Sequence, residues 1–242
     1  MDDAADTLRL LQESIRRFVE KEVTLKGRAW EEQGFVPREV LREMGKLGFL
    51  GLRYGEEFGG GALDARATAL LAEELGRSTF GGFAITVLVH TDMASPHLVN
   101  AGSPAQIRKY LPKIISGELI TAVAVTEPDA GSDVKGIRTR ARREGNDYVL
   151  KGSKMFITNG ALADVYFVAA KTDPAAGSKG ISMFIVEKGT PGFSVGRRLD
   201  KMGWRCSATA ELVCDGCRNP GENRLGEENR GFYAIMKNFQ NE

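Results

Sequence analysis

Apolar residues near the start of the chain recur with the 3.6-residue period of a helix. Leu8, Leu11, Ile15, Phe18, Val19 and Val23 share one face, while Arg16, Arg17, Glu20 and Lys21 share the other, read as a solvated face. Pro37 is placed to serve as the first-turn proline of a helix carrying Val40, Leu41, Met44 and Leu47. Gly59-Gly60-Gly61 interrupts the pattern, and Ala65 to Leu75 resumes it through Leu70, Leu71 and Leu75. Phe83 to Val99 is an apolar stretch of helical length, and Gln106 to Ile115 is a further short helix candidate. Residues 1–116 are therefore expected to form an all-α domain.

The pattern changes after Gly117. Leu119 to Thr126 is a strand-like run, and Ile137 to Arg143 joins Tyr148-Val149-Leu150 through the turn pair Gly145-Asn146. Asp164 to Thr172, Gly180 to Glu187, Phe193 to Leu199 and Thr209 to Cys214 continue the series. Short β-rich segments at this spacing predict an antiparallel barrel or sandwich over 117–224, not βαβ units. From Asn229 the helical period returns, with Phe232, Ile235, Met236 and Phe239 on one stripe. No cap or breaker follows that stripe, so residues 225–242 read as the first helix of a C-terminal helical domain that is cut short.

Composition narrows the function classes. Hydrophobic residues at 42% and charged residues at 27% suit a globular protein with a sizeable core. Lys plus Arg (33) nearly balances Asp plus Glu (32), so no broad basic field favours nucleic acid or anionic lipid. No apolar run is long enough to span a bilayer, and the acidic Met1-Asp2-Asp3 start does not fit a secretory signal. Three cysteines cannot all pair among themselves, so a cytoplasmic location is the expectation.

Two segments carry candidate chemistry. In AVAVTEPDAGSD, Ala122 to Asp133, a strand runs into Glu127-Pro128 and then a small-residue turn ending in Gly131-Ser132-Asp133. Glycine permits close backbone approach to a ligand, and neighbouring N–H groups with a serine hydroxyl suit phosphate oxygens. By itself this is equally an ordinary turn. In KGSKMFITNG, Lys151 to Gly160, Phe156 offers a ring to lie against a flat ligand, and Thr158 offers a hydroxyl on the same side of a strand. The plain alternative is a core aromatic beside a surface threonine. Both segments together, in this order and between helical regions, favour a ligand site.

With these motifs the chain resembles the acyl-CoA dehydrogenase family. The resemblance extends to the loop from Tyr54-Gly55 to Asp64, to KYLPKIISGE at Lys109 to Glu118, and to the approach from Asn223 to Gly231. It implies a helical domain, a middle β-domain and a C-terminal four-helix domain, of which only the first helix is present. It implies FAD as cofactor. Val123, Val125 and Thr126 would line the isoalloxazine, with Thr126 bonding its pyrimidine edge. Gly131 and Ser132 would meet the pyrophosphate, and Ser132 would also face the acyl-CoA. Phe156 stands where many members have tryptophan, and Ile157 and Thr158 would complete the ring contacts, the Thr158 hydroxyl near flavin N5. The implied reaction is α,β-desaturation of an acyl-CoA thioester, with a carboxylate taking the α-proton and hydride passing to the flavin. Members place that base either far along the C-terminal domain or on its first helix. Glu242 falls at the second position, and at about 100° per residue it flanks the Phe232–Phe239 stripe. The alternative for Glu242 is a solvated side chain at a chain end. An electron-transferring flavoprotein as acceptor and a homo-oligomer, tetramer or dimer, are further implications.

Other signals weigh less. Cys214-Asp215-Gly216-Cys217 has zinc half-site spacing with Cys206 upstream, but His90 and His97 are remote in sequence and read as packing residues or caps, so no metal is expected. Cys217 and Asn219 depart from the apolar residues usual in the family. Acyl-CoA oxidases and flavin monooxygenases share the fold, and a non-catalytic binding module is the reading from another class. Without the remaining helices this chain is expected to bind FAD weakly or not at all.

Overall fold

A computed structural model describes residues 3–239. They divide into two compact units. The first holds the residues up to Leu88 with Pro112–Glu118 and Asp200–Ala208; the second holds Val89–Leu111, Leu119–Leu199 and the residues from Thr209 on.

The first unit is helical, as its periodicity predicts. Helix α1 (Asp3–Phe18) passes through a π-helical turn, Val19–Val23, into α2 (Thr24–Gln33). Ile15, Phe18, Val19 and Val23 of the expected stripe are buried, whereas Leu8 and Leu11 are half-buried. Gly34 stops α2 at a left-handed φ of 81°, its N–H donating to the Trp30 carbonyl. Helices α3 (Arg38–Lys46), α4 (Ala65–Arg77) and α5 (Gly81–Leu88) follow. Pro37 is the residue before α3, and Leu47, expected on its buried stripe, lies past its end and is exposed. Asp64 caps α4 by accepting from the Arg66 N–H at 2.9 Å.

The charged face of α1 is not wholly solvated. Arg16 reaches the fully buried Glu74 of α4, with Nη2 2.7 Å and Nε 3.0 Å from its two oxygens, and Gln12 adds a third donor at 3.0 Å. The Arg16 hydrogen bond holds the Glu74 carboxyl below its ordinary value of 4.5, against the opposing effect of burial.

The second unit wraps helical pieces against a mixed eight-stranded sheet. A π-helical turn, Val89–Ala94, precedes α6 (Ser95–Ala101) and α7 (Pro104–Ile115), whose last turn belongs to the first unit. The strands are β1 (Thr121–Ala124), β2 (Arg140–Glu144), β3 (Asp147–Ile157), β4 (Val165–Lys171), β5 (Ile181–Glu187), β6 (Phe193–Arg198), β7 (Ala210–Asn219) and β8 (Arg224–Leu225), followed by helix α8 (Gly231–Asn238). Their order is β6-β7-β3-β2-β4-β5-β8, with β1 pairing β4. The sheet is mostly antiparallel, as expected, but β4 pairs in parallel with β1 and β2, and among the described residues the order does not close into a ring. Strands β4 and β5 are buried on both faces from Val165 to Ala170 and from Ile181 to Val186. This is why they read as unbroken apolar runs. The β2–β3 hairpin turns at Gly145-Asn146 as read; only Gly145 has positive φ, 62°, which suits a type II′ turn.

Strand β7 carries a bulge. Leu150 pairs Cys217 and Lys151 pairs Asp215, so Gly216, at φ 68°, is the extra residue. The bulge puts Cys214 and Cys217 on one buried face. Asn219 is also fully buried, and neither end of its amide has a hydrogen-bond partner among the described residues. Asn219 is thus a buried polar side chain whose hydrogen-bonding groups are left unsatisfied among the described residues.

Stability should report the Glu74 pair. A carboxyl whose folded pKa is depressed stabilises fully above its unfolded value, and that contribution is lost as pH falls through the folded value. Wild type should melt roughly 2–4 °C above Glu74→Gln at pH 7, and the gap should close as the pH falls below 4.5. Thermal unfolding followed by circular dichroism at both pH values measures this.

Candidate functional site

The two segments singled out in the sequence meet at the mouth of β1 in the second unit. Beyond Ala124 the chain leaves the sheet through the half-buried Val125 and Thr126. It then makes a tight turn in which Glu127 and Ala130 exchange backbone hydrogen bonds of 2.8 and 3.2 Å, with Pro128 at the second position. Gly131, Ser132 and Asp133 follow, all exposed, before a short 3-10 turn at Val134–Gly136.

Glu127 and Lys154 fasten this turn to β3. Lys154 Nζ lies 2.7 Å from Glu127 Oε1 and donates to the Val125 carbonyl at 2.9 Å. The two side chains are only 1% and 5% exposed. Glu127 also accepts from the backbone N–H groups of Arg138, at 2.6 Å, and Thr139, at 3.0 Å. Next to this pair, Met155 N–H donates to the Thr126 carbonyl at 2.9 Å. Burial works against the Glu127 carboxylate, yet the Lys154 charge and these hydrogen bonds hold its pKa below the ordinary value. Burial draws the Lys154 ammonium below its own ordinary value, and Glu127 opposes that shift. Each partner's charge thus opposes the effect of burial on the other.

Neither residue was singled out from the sequence. The available signal was alternation: Tyr148, Leu150 and Lys154 share the inward parity of β3. A lysine at such a position needs a carboxylate partner, and Thr-Glu-Pro supplies one.

The register of β3 slips between Lys154 and Ile157, opposite Leu212 and Ala210 of β7. This bulge places Phe156 at φ 60° and leaves its ring 64% exposed. Positive φ is rare for an aromatic residue, and here it turns a ring outward that simple alternation would have left undetermined. Thr158 lies in the turn after β3, so Phe156 and Thr158 are not related by strand alternation as the sequence suggested. The Ile157 side chain is buried at 3% exposure, so what it offers outward is main chain. Val123 is half-buried within β1, paired with Phe167. Gly131 has open space where a Cβ would stand, and Ser132 beside it is exposed. Glu242 lies outside the described residues.

A second polar seam sets the start of β1. His90, on the π-helical turn, accepts the Thr121 N–H at Nδ1 (3.1 Å), which leaves its proton on Nε2. The Thr121 hydroxyl donates in turn to the His90 carbonyl at 3.1 Å. Burial pushes the pKa of His97 down to about 4, and its ring packs near Phe167. Cys206 donates to Glu31 at 2.9 Å within the first unit, while Cys214 and Cys217 belong to the second. Among the described residues no group of three or more His, Cys, Asp or Glu side chains is arranged to hold a metal.

Comparison with known proteins decides the family. Residues 5–118 match the model for the acyl-CoA dehydrogenase N-terminal domain, and residues 122–217 match that for the acyl-CoA dehydrogenase middle domain. The chain belongs to the acyl-CoA dehydrogenase family. It is 43% identical over 235 residues to the mitochondrial long-chain specific acyl-CoA dehydrogenase of Mus musculus, covering 96% of this chain and 54% of that protein. The crystal structure of an acyl-CoA dehydrogenase from Geobacillus kaustophilus superposes with a TM-score of 0.94 at 40% identity, covering 97% of this chain and 62% of that one. An acyl-CoA dehydrogenase from Bacillus anthracis complexed with FAD gives 0.91 at 38% identity, over 98% of this chain and 40% of that one. The chain thus spans about half the length of the curated relatives it matches.

If Lys154 and Glu127 hold the turn to β3, removing one charge should cost far more than removing both. Lys154→Met is expected to lose about 3–5 kcal/mol in urea unfolding, because Glu127 is left buried and unpaired. The double variant Glu127→Gln/Lys154→Met should recover most of that loss.

Proposed function

We propose that this chain supplies the β-domain wall of an FAD site in an enzyme that desaturates acyl-CoA thioesters between Cα and Cβ. The observation that carries the reading is the outward-turned ring of Phe156 on its left-handed backbone, fastened beside Thr126. The residues present fit a flat dinucleotide cofactor. Phe156 offers an uncovered aromatic face, Val123 and Val125 an apolar margin, and Gly131 an unobstructed backbone approach for pyrophosphate beside the Ser132 hydroxyl.

When bound, FAD supplies the hydride acceptor. The chain's own residues orient and hold. Val125 and Thr126 would border the ring, with Thr126 assigned to its pyrimidine edge. Phe156 would cover one face and exclude water from it, and Ile157 would contribute backbone alongside. The Thr158 hydroxyl, in the turn just beyond, is assigned to the N5 side. Ser132 is assigned both to the pyrophosphate and to the pantetheine of the thioester. Glu242 is assigned as the base, its carboxylate taking the α-proton. An electron-transferring flavoprotein as acceptor and assembly into a homo-oligomer accompany this reading.

Two measurements test it. Titrating the 15N-labelled chain with FAD should move the amides of Val125, Thr126, Gly131, Ser132, Ile157 and Thr158 in a saturable way, at weak affinity. No shift on this face at millimolar FAD, in this chain and in a polypeptide that also carries the remaining length of its relatives, would overturn the reading. In a polypeptide that carries this chain together with the remaining length of its relatives, Glu242→Gln should lower turnover by about 10²–10⁴. Unchanged turnover would move the base elsewhere.

A further inference from the structure

A trans peptide points its C=O and its N–H in opposite directions, and there are no cis bonds among the described residues. The Val125 carbonyl turns inward to the Lys154 ammonium, so the N–H of the same peptide unit, that of Thr126, points away from Lys154. The Thr126 carbonyl is engaged as well, by Met155 N–H. The Thr126 N–H, by contrast, has no hydrogen-bond acceptor among the described residues. Thr126 is thus pinned through the carbonyls on both sides, with one donor left unengaged and directed away from Lys154.

The ammonium does more than fix direction. Its hydrogen bond polarises the Val125–Thr126 peptide and strengthens the N–H as a donor. Burial lowers the Lys154 pKa, and the Glu127 carboxylate, in contact with the ammonium, opposes that shift. Arg138 and Thr139, whose N–H groups hold Glu127, anchor the carboxylate from the far side of the turn.

We propose that Lys154, with Glu127 as its counter-ion, is a positioning residue that holds the Val125–Thr126 peptide with its N–H turned out to donate to a carbonyl oxygen of the flavin pyrimidine ring. The proposal rests on the flavin reading above and adds the two residues that aim the donor. Negative charge gathers on that edge of a flavin when it is reduced, so a donor fixed there favours the reduced form over the oxidised one. An exposed, loosely held peptide would give no such preference.

The test compares the 15N-labelled wild-type chain with Glu127→Gln/Lys154→Met, which removes both buried charges and the donor to Val125. In wild type, FAD should slow hydrogen exchange at the Thr126 amide, whereas unchanged exchange at saturating FAD would overturn the proposal without any variant. In the double variant, circular dichroism and core amide shifts should stay close to wild type. Its Thr126 amide should already be displaced without FAD, and FAD affinity should fall about tenfold or more. A folded double variant with an unmoved Thr126 amide and unchanged affinity would refute the positioning role and leave the flavin reading standing. If wild type shows no FAD response anywhere on this face, either in this chain or in a polypeptide carrying the remaining length of its relatives, the flavin reading fails and the pyrimidine contact with it. The ligand-free Thr126 shift would then still report whether Lys154 aims the peptide.

Discussion

The ion pair between Lys154 and Glu127 is the contact on which the site depends. It joins two segments that local geometry alone would let drift: an exposed turn after a four-residue strand, and the bulged end of β3. Backbone pairing is thin here, with one hydrogen bond from Met155 to Thr126 and the self-closed turn at Glu127 and Ala130. A buried charge pair is an expensive way to join two segments, since hydrophobic residues of similar volume would often be as stable. What it adds is direction. An ammonium that must meet both a carboxylate and one particular carbonyl tolerates few arrangements of the peptide between them. An apolar contact would tolerate many.

The same economy appears in the two β-bulges. At Gly216 the extra residue is a glycine in the conformation that suits it, and the result is structural: Cys214 and Cys217 come to one buried face. At Phe156 the left-handed residue is aromatic, where a side chain makes that conformation unfavourable. Strain of this kind persists only where the surroundings over-determine it. Lys154, two residues earlier, is anchored in the interior, and Ile157, one residue later, is buried. Between these fixed points the backbone has little freedom, and the ring of Phe156 is displayed.

Much of this fold was legible because its periods are clean. The α1 stripe from Ile15 to Val23 and the unbroken runs of β4 and β5 report burial on one side or on both, and both appear as read. The hairpin at Gly145 was legible from turn chemistry alone. Periodicity misled where a residue sat at an element's edge, as with Leu47 just past α3, or where a charged residue served the core, as with Arg16 and Glu74. The parallel pairing of β4 had no local signature, because which strands become neighbours is settled by contacts distant in sequence.

The site divided in the same way. The residues read from the sequence as a ligand surface have the accessibility such a surface needs: Thr126 is half-buried, and Gly131, Ser132 and Phe156 are exposed. Its supporting residues were harder to see, because their role exists only once the turn and the strand lie side by side. Alternation along β3 alone makes Lys154 an anomaly, and Glu-Pro alone makes Glu127 a turn residue. Each explains the other only in three dimensions. A buried lysine on the inward parity of a strand is therefore a sign to look for the carboxylate it restrains, and for the peptide that the pair has been placed to aim.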